Sequence, residues 1–192
     1  TETSNKEYRQ WKSEHNSSSI RGLSLDLNDQ PVSNIAWQDA ALFCNWLSEK
    51  ENLPKFYNVV GDRVTSINWD SNGYRLPTES EWSWVAKVTK AGSTKVFPWN
   101  SPSYPPSFVS GNYADESAKS MLPFTISNYN DSFPVSASVG SFKPNEKGIF
   151  NLSGNVAEWV NDFYEIRVNK SEPLVDYRGP NTGNRHVIRG AS

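Results

Sequence analysis

The segment from Asn100 to Pro134 most constrains what this chain can fold into. It carries little hydrophobic periodicity and is broken repeatedly by Gly, Pro, Asn and Asp. Structureless connections longer than about 12–15 residues are uncommon inside compact domains. Such a segment is either functional or held by something other than an apolar core. A metal ion is one such agent. The chain around it is built to fold: 13% of its 192 residues are aromatic, eight of them Trp, whereas disordered chains are poor in aromatics. A chain of this length can bury a sizeable core.

Elsewhere the periodicity is clearer. A first helix is expected from Asn5 to His15, with Tyr8 and Trp11 three apart. A second runs from Trp37 to about Lys50, with Asp39 in the first turn facing the positive end of the helix dipole. Ala40, Phe43, Cys44 and Leu47 share one face of it. Cys44 is the only cysteine, so no internal disulfide can form, and on that stripe it reads as a small hydrophobe. The third helix has the strongest start signal. In Thr78-Glu79-Ser80-Glu81, Thr78 is the N-cap and Glu81 reaches back to it; the helix should end near Gly92. Lys95–Trp99, Val135–Phe142, Gly148–Leu152, Glu158–Phe163 and His186–Arg189 are candidate strands or buried turns. No repeat or long linker divides the chain. The reading is one α+β domain with a high irregular content, a few helices and short, mostly antiparallel strands.

Several classes of function are excluded. With 19 basic and 21 acidic side chains the net charge is -2, and no Lys/Arg cluster tracks a nucleic acid backbone. No apolar run approaches the ~20 residues needed to span a bilayer. His15 and His186 lack metal-ligand neighbours at zinc spacing. No phosphate loop, nucleophile elbow or singled-out carboxylate pair is present. Asn16, Asn130, Asn151 and Asn169 match the glycosylation acceptor pattern, which an Asn- and Ser-rich chain also produces by chance. Trp37, Trp46, Trp82, Trp84, Trp99 and Trp159 could stack on sugars; core packing is the preferred reading.

Two groups of residues carry hard oxygen ligands of the kind Ca²⁺ takes. One is Asn151-Leu-Ser-Gly154-Asn-Val156-Ala-Glu158, in which Gly154 lets the chain turn. The other is Asn112, Asp115 and Glu116 with Asn128, Asn130 and Asp131. Taken alone, the first is also what a turn before a strand looks like, and the second a solvated polar loop.

Seven segments, in order, resemble the formylglycine-generating-enzyme (sulfatase-modifying-factor) family. Glu2-Thr-Ser-Asn5-Lys-Glu-Tyr8 resembles E-V-T-N-x-x-Y/F. Pro31-Val32-Ser-Asn-Ile-Ala-Trp37-Gln-Asp39-Ala40 resembles P-V-x-x-V-S-W-x-D-A. Gly73-Tyr74-Arg75-Leu76-Pro77-Thr78-Glu79-Ser80-Glu81-Trp82 is similar to the family's most specific run, G-Y-R-L-P-T-E-A-E-W. Phe97-Pro98-Trp99 resembles Y/F-P-W-G with Asn100 in place of Gly, and Gly111-Asn112-Tyr113-Ala114-Asp115 resembles G-N-x-x-D. Val139–Asn145 with Gly148–Trp159 resembles P-V-G-x-F-x-P-N-x-x-G-L-Y-D/N-M-x-G-N-V-W-E-W, and His186–Ser192 resembles R-V-x-R-G-G-S.

The resemblance implies a C-type-lectin-like fold and two structural calcium ions. One would take the side chains of Asn151 and Glu158 with the carbonyls of Gly154 and Val156. The other would take the side chains of Asn112 and Asp131 with the carbonyls of Tyr113 and Phe133. In the family a cysteine pair following the R-G-G-S run binds copper and oxidises a substrate cysteine to formylglycine. Soft thiolates suit Cu(I). Cys44 matches a helix cysteine of the family rather than that pair, and the given residues stop at Ser192. The chain is therefore expected to be a domain truncated at both ends, with copper entering only if residues past Ser192 carry the pair. The first expectation is a non-catalytic, calcium-stabilised module for structure or for a protein, peptide or ligand partner, secreted, periplasmic or in the cell envelope. The alternative is a copper-dependent oxidase whose cysteines lie further on. A family branch using non-haem iron takes its His ligands from another domain, and nothing in this sequence supplies them.

Overall fold

In the computed structural model, residues 1–99, 101–166 and 176–190 are described. The Asn169 acceptor pattern, Asn100 and the last two residues of the R-G-G-S-like run lie outside them. The fold is α+β with much irregular structure. In chain order it comprises α1 (Asn5–Tyr8), β1 (Ser19–Ile20), β2 (Leu23–Ser24), α2 (Trp37–Lys50), β3 (Tyr57–Val60), β4 (Arg63–Ile67), α3 (Glu79–Lys87), a 3₁₀ turn (Glu116–Ala118), β5 (Glu158–Phe163) and β6 (His186–Arg189). β1–β2, β3–β4 and β5–β6 form three two-stranded sheets, the first two antiparallel. No described helix is long and apolar enough to cross a membrane.

Contacts group into two units: 1–34, 83–158 and 190–192 in the first, 35–82 and 159–189 in the second. The second has the apolar core. Ala41 and Cys44 on α2 meet Phe56 and Tyr57, with Trp37, Val64, Ile67, Trp69 and Leu76 packed around them. Burial pushes the Cys44 thiol up to about 12, so it is a packing group. Polar side chains bind α2 to β3: Asn45 Nδ2 donates to the Tyr57 carbonyl at 2.7 Å, and its Oδ1 accepts from the Tyr57 amide at 3.1 Å. The Tyr57 hydroxyl donates to Asn161 Oδ1 (2.9 Å) and accepts from the Leu76 amide (3.1 Å). The indole N–H of Trp37 reaches the Val160 carbonyl, and that of Trp159 the Ile35 carbonyl. Each aromatic ring thus buries its body and spends its polar tip on a backbone group.

α3 starts as its sequence requires. The Glu81 amide donates to Thr78 Oγ1 (3.1 Å) and the Thr78 amide to Glu81 Oε2 (2.7 Å). Arg75 grips both Glu81 oxygens at 2.7 Å. This pairing, with help from the Thr78 amide, holds the Glu81 carboxyl at about 2.

The first unit has less regular structure. α1 stops at Tyr8 rather than His15, because Gln10 and Trp11 make tighter bonds, to Glu7 and Tyr8, three residues back. Its start is a Ser4–Glu7 capping box. α3 ends at Lys87, not near Gly92: the Lys95 amide pairs back to the Lys87 carbonyl around a turn in which Gly92 takes φ +83°. Of the five apolar pieces, Glu158–Phe163 and His186–Arg189 are strands with the expected bounds. Lys95–Trp99, Val135–Phe142 and Gly148–Leu152 contain no strand; buried Leu152 sits in a turn, and buried Trp99, Ala137 and Phe142 lie in irregular segments. The β3–β4 hairpin was not anticipated. Its two-residue loop, Gly61-Asp62, has Gly at φ +60° in the first position, as hairpin turns of this length favour. Trp82 and Trp99 are buried, Trp37, Trp46 and Trp159 partly so, and Trp84 is exposed, with Lys147 Nζ 4.4 Å above its ring.

Two predictions follow from the second unit. Asn45→Ala leaves the Tyr57 amide and carbonyl buried without partners, and should destabilise by about 2–4 kcal/mol in urea unfolding. The Glu81 carboxyl is held below its ordinary value. Its contribution is therefore full above pH 4.5 and is lost as pH falls towards about 2. The stability gap between the parent and Glu81→Gln should thus be widest at neutral pH and close in that acid window, as read by urea midpoints across pH.

Candidate metal centre

In the first unit, the long segment is closed by its own side chains. Asp115 is fully buried: Oδ1 accepts from the Ser117 amide (2.8 Å) and hydroxyl (2.6 Å), and Oδ2 accepts from the Asp131 amide (2.5 Å). Asp131, also buried, accepts from the Tyr113 amide on Oδ2 and the Phe133 amide on Oδ1, both at 2.8 Å. The Tyr129 hydroxyl accepts from the Ser110 and Gly111 amides and donates to the Gly111 carbonyl. Trp99, Tyr113 and Tyr129 form a small aromatic core beside them, with Phe97 and Ile126 packed on it.

The donors to both aspartates are neutral N–H and O–H groups. Burial first, and then the nearby Asp115 charge, pushes the Asp131 carboxyl up to about 6 against the pull of its two amides. Two buried carboxylates side by side are costly without positive charge.

The second group is reached through Asn112 and Asn155. Asn112 Nδ2 donates to the Val135 carbonyl (2.6 Å) and to Asn155 Oδ1 (3.2 Å), and the Asn112 carbonyl accepts from the Asn155 amide (2.9 Å). The turn 151–155 is built from left-handed residues, with Asn151 at φ 57° and Asn155 at φ 74°. Gly154 lies so close to Asn112 that a Cβ there would come within 2.2 Å of the Asn112 carbonyl oxygen. Glycine is thus required at 154 for close approach, while the left-handed turning expected of it falls on Asn151 and Asn155. Asn151 is 5% exposed. Its Nδ2 donates to both Glu2 oxygens, at 2.8 and 2.9 Å, while its Oδ1 is buried with no hydrogen-bond partner among the described residues.

All eight expected ligand residues fall in this unit. Asn112, Tyr113, Asp131 and Phe133 come together, with the Asp131 carboxylate bonded to the amides of Tyr113 and Phe133. Asn151, Gly154 and Val156 share one turn: the Gly154 amide donates to the Asn151 carbonyl (3.3 Å), and the Gly154 carbonyl accepts from the Val156 amide (3.0 Å). Glu158 is half-buried at the start of β5. The donor set is all oxygen, and the orphaned Asn151 Oδ1 is an atom that a hard cation would satisfy. Among the described residues no cluster of three His, Cys, Asp or Glu side chains is set to hold a metal. A cation here would therefore lean on amide and carbonyl oxygens. Asn151 is engaged and buried, so it is unsuited to glycosylation; Asn16 and Asn130 are exposed.

Two residues that matter to this geometry, Glu2 and Asn155, were not singled out as ligands, and Asp115 was placed in the second oxygen-rich group but not among the eight ligands. Asp115 and Asn155 stand in family-like runs, but nothing local marks them as buried. Glu2 meets its partners across 149 and 153 residues of sequence, a pairing no spacing rule reveals.

A family model described as the sulfatase-modifying factor enzyme 1-like domain matches residues 1–192. The formylglycine-generating enzyme of Streptomyces coelicolor is 28% identical over 164 residues, covering 85% of this chain and 42% of that protein. Chaperone protein LppX of Paenibacillus barcinonensis is 32% identical over 150 residues, covering 68% and 51%. The mouse inactive Cα-formylglycine-generating enzyme 2 is 28% identical over 171 residues, covering 85% and 45%. The chain thus spans about half or less of the length of these relatives. Among solved structures, Treponema denticola variable protein 1 superposes with a TM-score of 0.74 at 25% identity, covering 99% of this chain and 70% of that one. The chain belongs to the sulfatase-modifying factor enzyme 1-like family, which includes both formylglycine-generating enzymes and inactive paralogues.

Proposed function

We propose that this chain is a non-catalytic, calcium-stabilised member of its family, serving as a structural or interaction module that faces a protein, peptide or other ligand. The observation that carries the calcium part is the buried Asn151 Oδ1, which lacks a partner on a turn of oxygen donors. The adjoining carboxylates of Asp115 and Asp131 favour a cation as well. Asn151, Gly154, Val156 and Glu158 would hold one ion, and Asn112, Tyr113, Asp131 and Phe133 the other. Bound calcium would supply positive charge and oxygen cross-links where the chain has no periodic core. Within these residues Cys44 is a packing group rather than a reactive thiol. Its thiol is buried and held far from thiolate, which is unfit for copper or nucleophilic chemistry. A relative named as inactive supports this reading. A relative named as a chaperone supports a protein-facing role, and a need for calcium fits a place in the envelope or outside the cell.

The second reading, a copper-dependent oxidase that forms formylglycine from a sulfatase cysteine, is favoured by the likeness to the Streptomyces enzyme. It requires thiols beyond Ser192. Oxygen uptake by the full-length gene product, with copper and a Cys-x-Pro-x-Arg peptide, separates the two: turnover would sink the non-catalytic reading.

A ligand that binds only the folded state adds stability, ~2.7 kcal/mol at roughly 100 times its Kd. Calcium should accordingly raise the melting temperature and EDTA reverse the rise, and Glu158→Gln should lose much of the gain. An unchanged melting temperature on chelation would refute the calcium assignment.

A further inference from the structure

We infer that Glu2 is the positioning residue of the Asn151 site, setting which atom of the Asn151 amide faces the ion; the inference rests on the calcium reading above. A carboxylate can only accept hydrogen bonds, whereas a side-chain amide has one accepting and one donating end. The Asn151 Nδ2 lies 2.8 and 2.9 Å from the two Glu2 oxygens, and the Asn155 Nδ2 lies 2.8 Å from Oε1. Glu2 therefore fixes both amides in one orientation. For Asn155, the consequence is that Oδ1 accepts from the Ala137 amide (2.7 Å) and from Asn112 Nδ2. For Asn151, the consequence is that Oδ1 is presented on the opposite side, buried and unpartnered. A flipped Asn151 would set an N–H₂ group there, and no cation accepts that as a ligand. Glu2 also links the two oxygen groups, because Asn155 bridges to Asn112.

Glu2→Gln tests this with almost no change of shape. Gln can keep Oε1 towards Asn155. Its Nε2 then replaces Oε2, so one of the two acceptors facing Asn151 Nδ2 becomes a donor while Oε1 still serves both amides. The hold on the Asn151 amide is thereby weakened, and the fraction of molecules with Oδ1 turned away from the site grows. Mutation of such supporting residues lowers metal affinity about 10–100-fold. Calcium titration by calorimetry should show at least about a tenfold weaker site in Glu2→Gln. The melting temperature in EDTA should stay close to that of the parent, and only the calcium-dependent increment should shrink. Glu2→Asp keeps the accept-only chemistry and should retain most of the affinity. Equal affinity in parent and Glu2→Gln overturns the inference. So does an equal loss of melting temperature with and without calcium, which marks a purely structural role, or a Glu2→Asp site as weak as that of Glu2→Gln. A parent that binds no calcium removes the underlying reading itself.

Discussion

Buried backbone N–H groups must find acceptors, and in the first unit side chains supply them where helices and strands do not. Asp115, Asp131, Asn112, Asn155 and the Tyr129 hydroxyl together engage the amides or carbonyls of residues 110, 111, 113, 117, 131, 133, 135 and 137. This is how a long stretch with almost no regular structure is held in one conformation. The device has an electrostatic cost. A carboxylate that accepts two amides must be buried with them, and a second one lies beside it. The Asp131 carboxyl is accordingly raised, by burial first and then by the Asp115 charge. Positive charge nearby would offset it, which is why the proposed calcium falls on the network that orders the segment.

The second unit solves the same problem with rings. Trp37, Trp159 and Tyr57 each bury an aromatic body and give a polar tip to the chain. His186 lies between Trp37 and Phe163, at ring distances of 3.6 and 4.2 Å. Arg75 lies over Phe56 and Trp69 while it grips Glu81. The arginine therefore joins the core to the α3 start, and its replacement by Lys would lose the planar fork that does both.

What the sequence made legible follows from range. α2 and the α3 start rest on local signals, the 3.6-residue stripe and the Thr78–Glu81 box, and their sequence reading holds at Trp37, Lys50 and Thr78. The α3 end failed because the turn at 89–93 is closed by pairing of Lys95 with Lys87, which outweighs the helical pattern. The β3–β4 hairpin was missed although Val59-Val60-Gly61-Asp62-Arg63-Val64 carries a two-residue turn signal. Of the candidate ligands, the sequence grouped Asn112 with Asp131 and Asn151 with Glu158. It could not show that Asp115 is fully buried or that Glu2 faces Asn151. Those facts depend on contacts between residues far apart in the chain.

The arrangement also bears on how one scaffold can carry active and inactive relatives. Function resides in sites placed on folds rather than in the folds themselves. Nothing that orders this chain is a reactive thiol: the long segment is held by carboxylates and amides, the second unit by aromatic packing, and Cys44 serves as filler between Ala41 and Phe56. Thiols used for catalysis could be absent without disturbing any of these bonds. Replacing Asp115 or Asp131 would instead strand two backbone amides at once, at about 1–3 kcal/mol for each buried group left unpaired. Stability therefore constrains the oxygen network far more tightly than it constrains catalytic cysteines, and members that have lost chemistry can still fold.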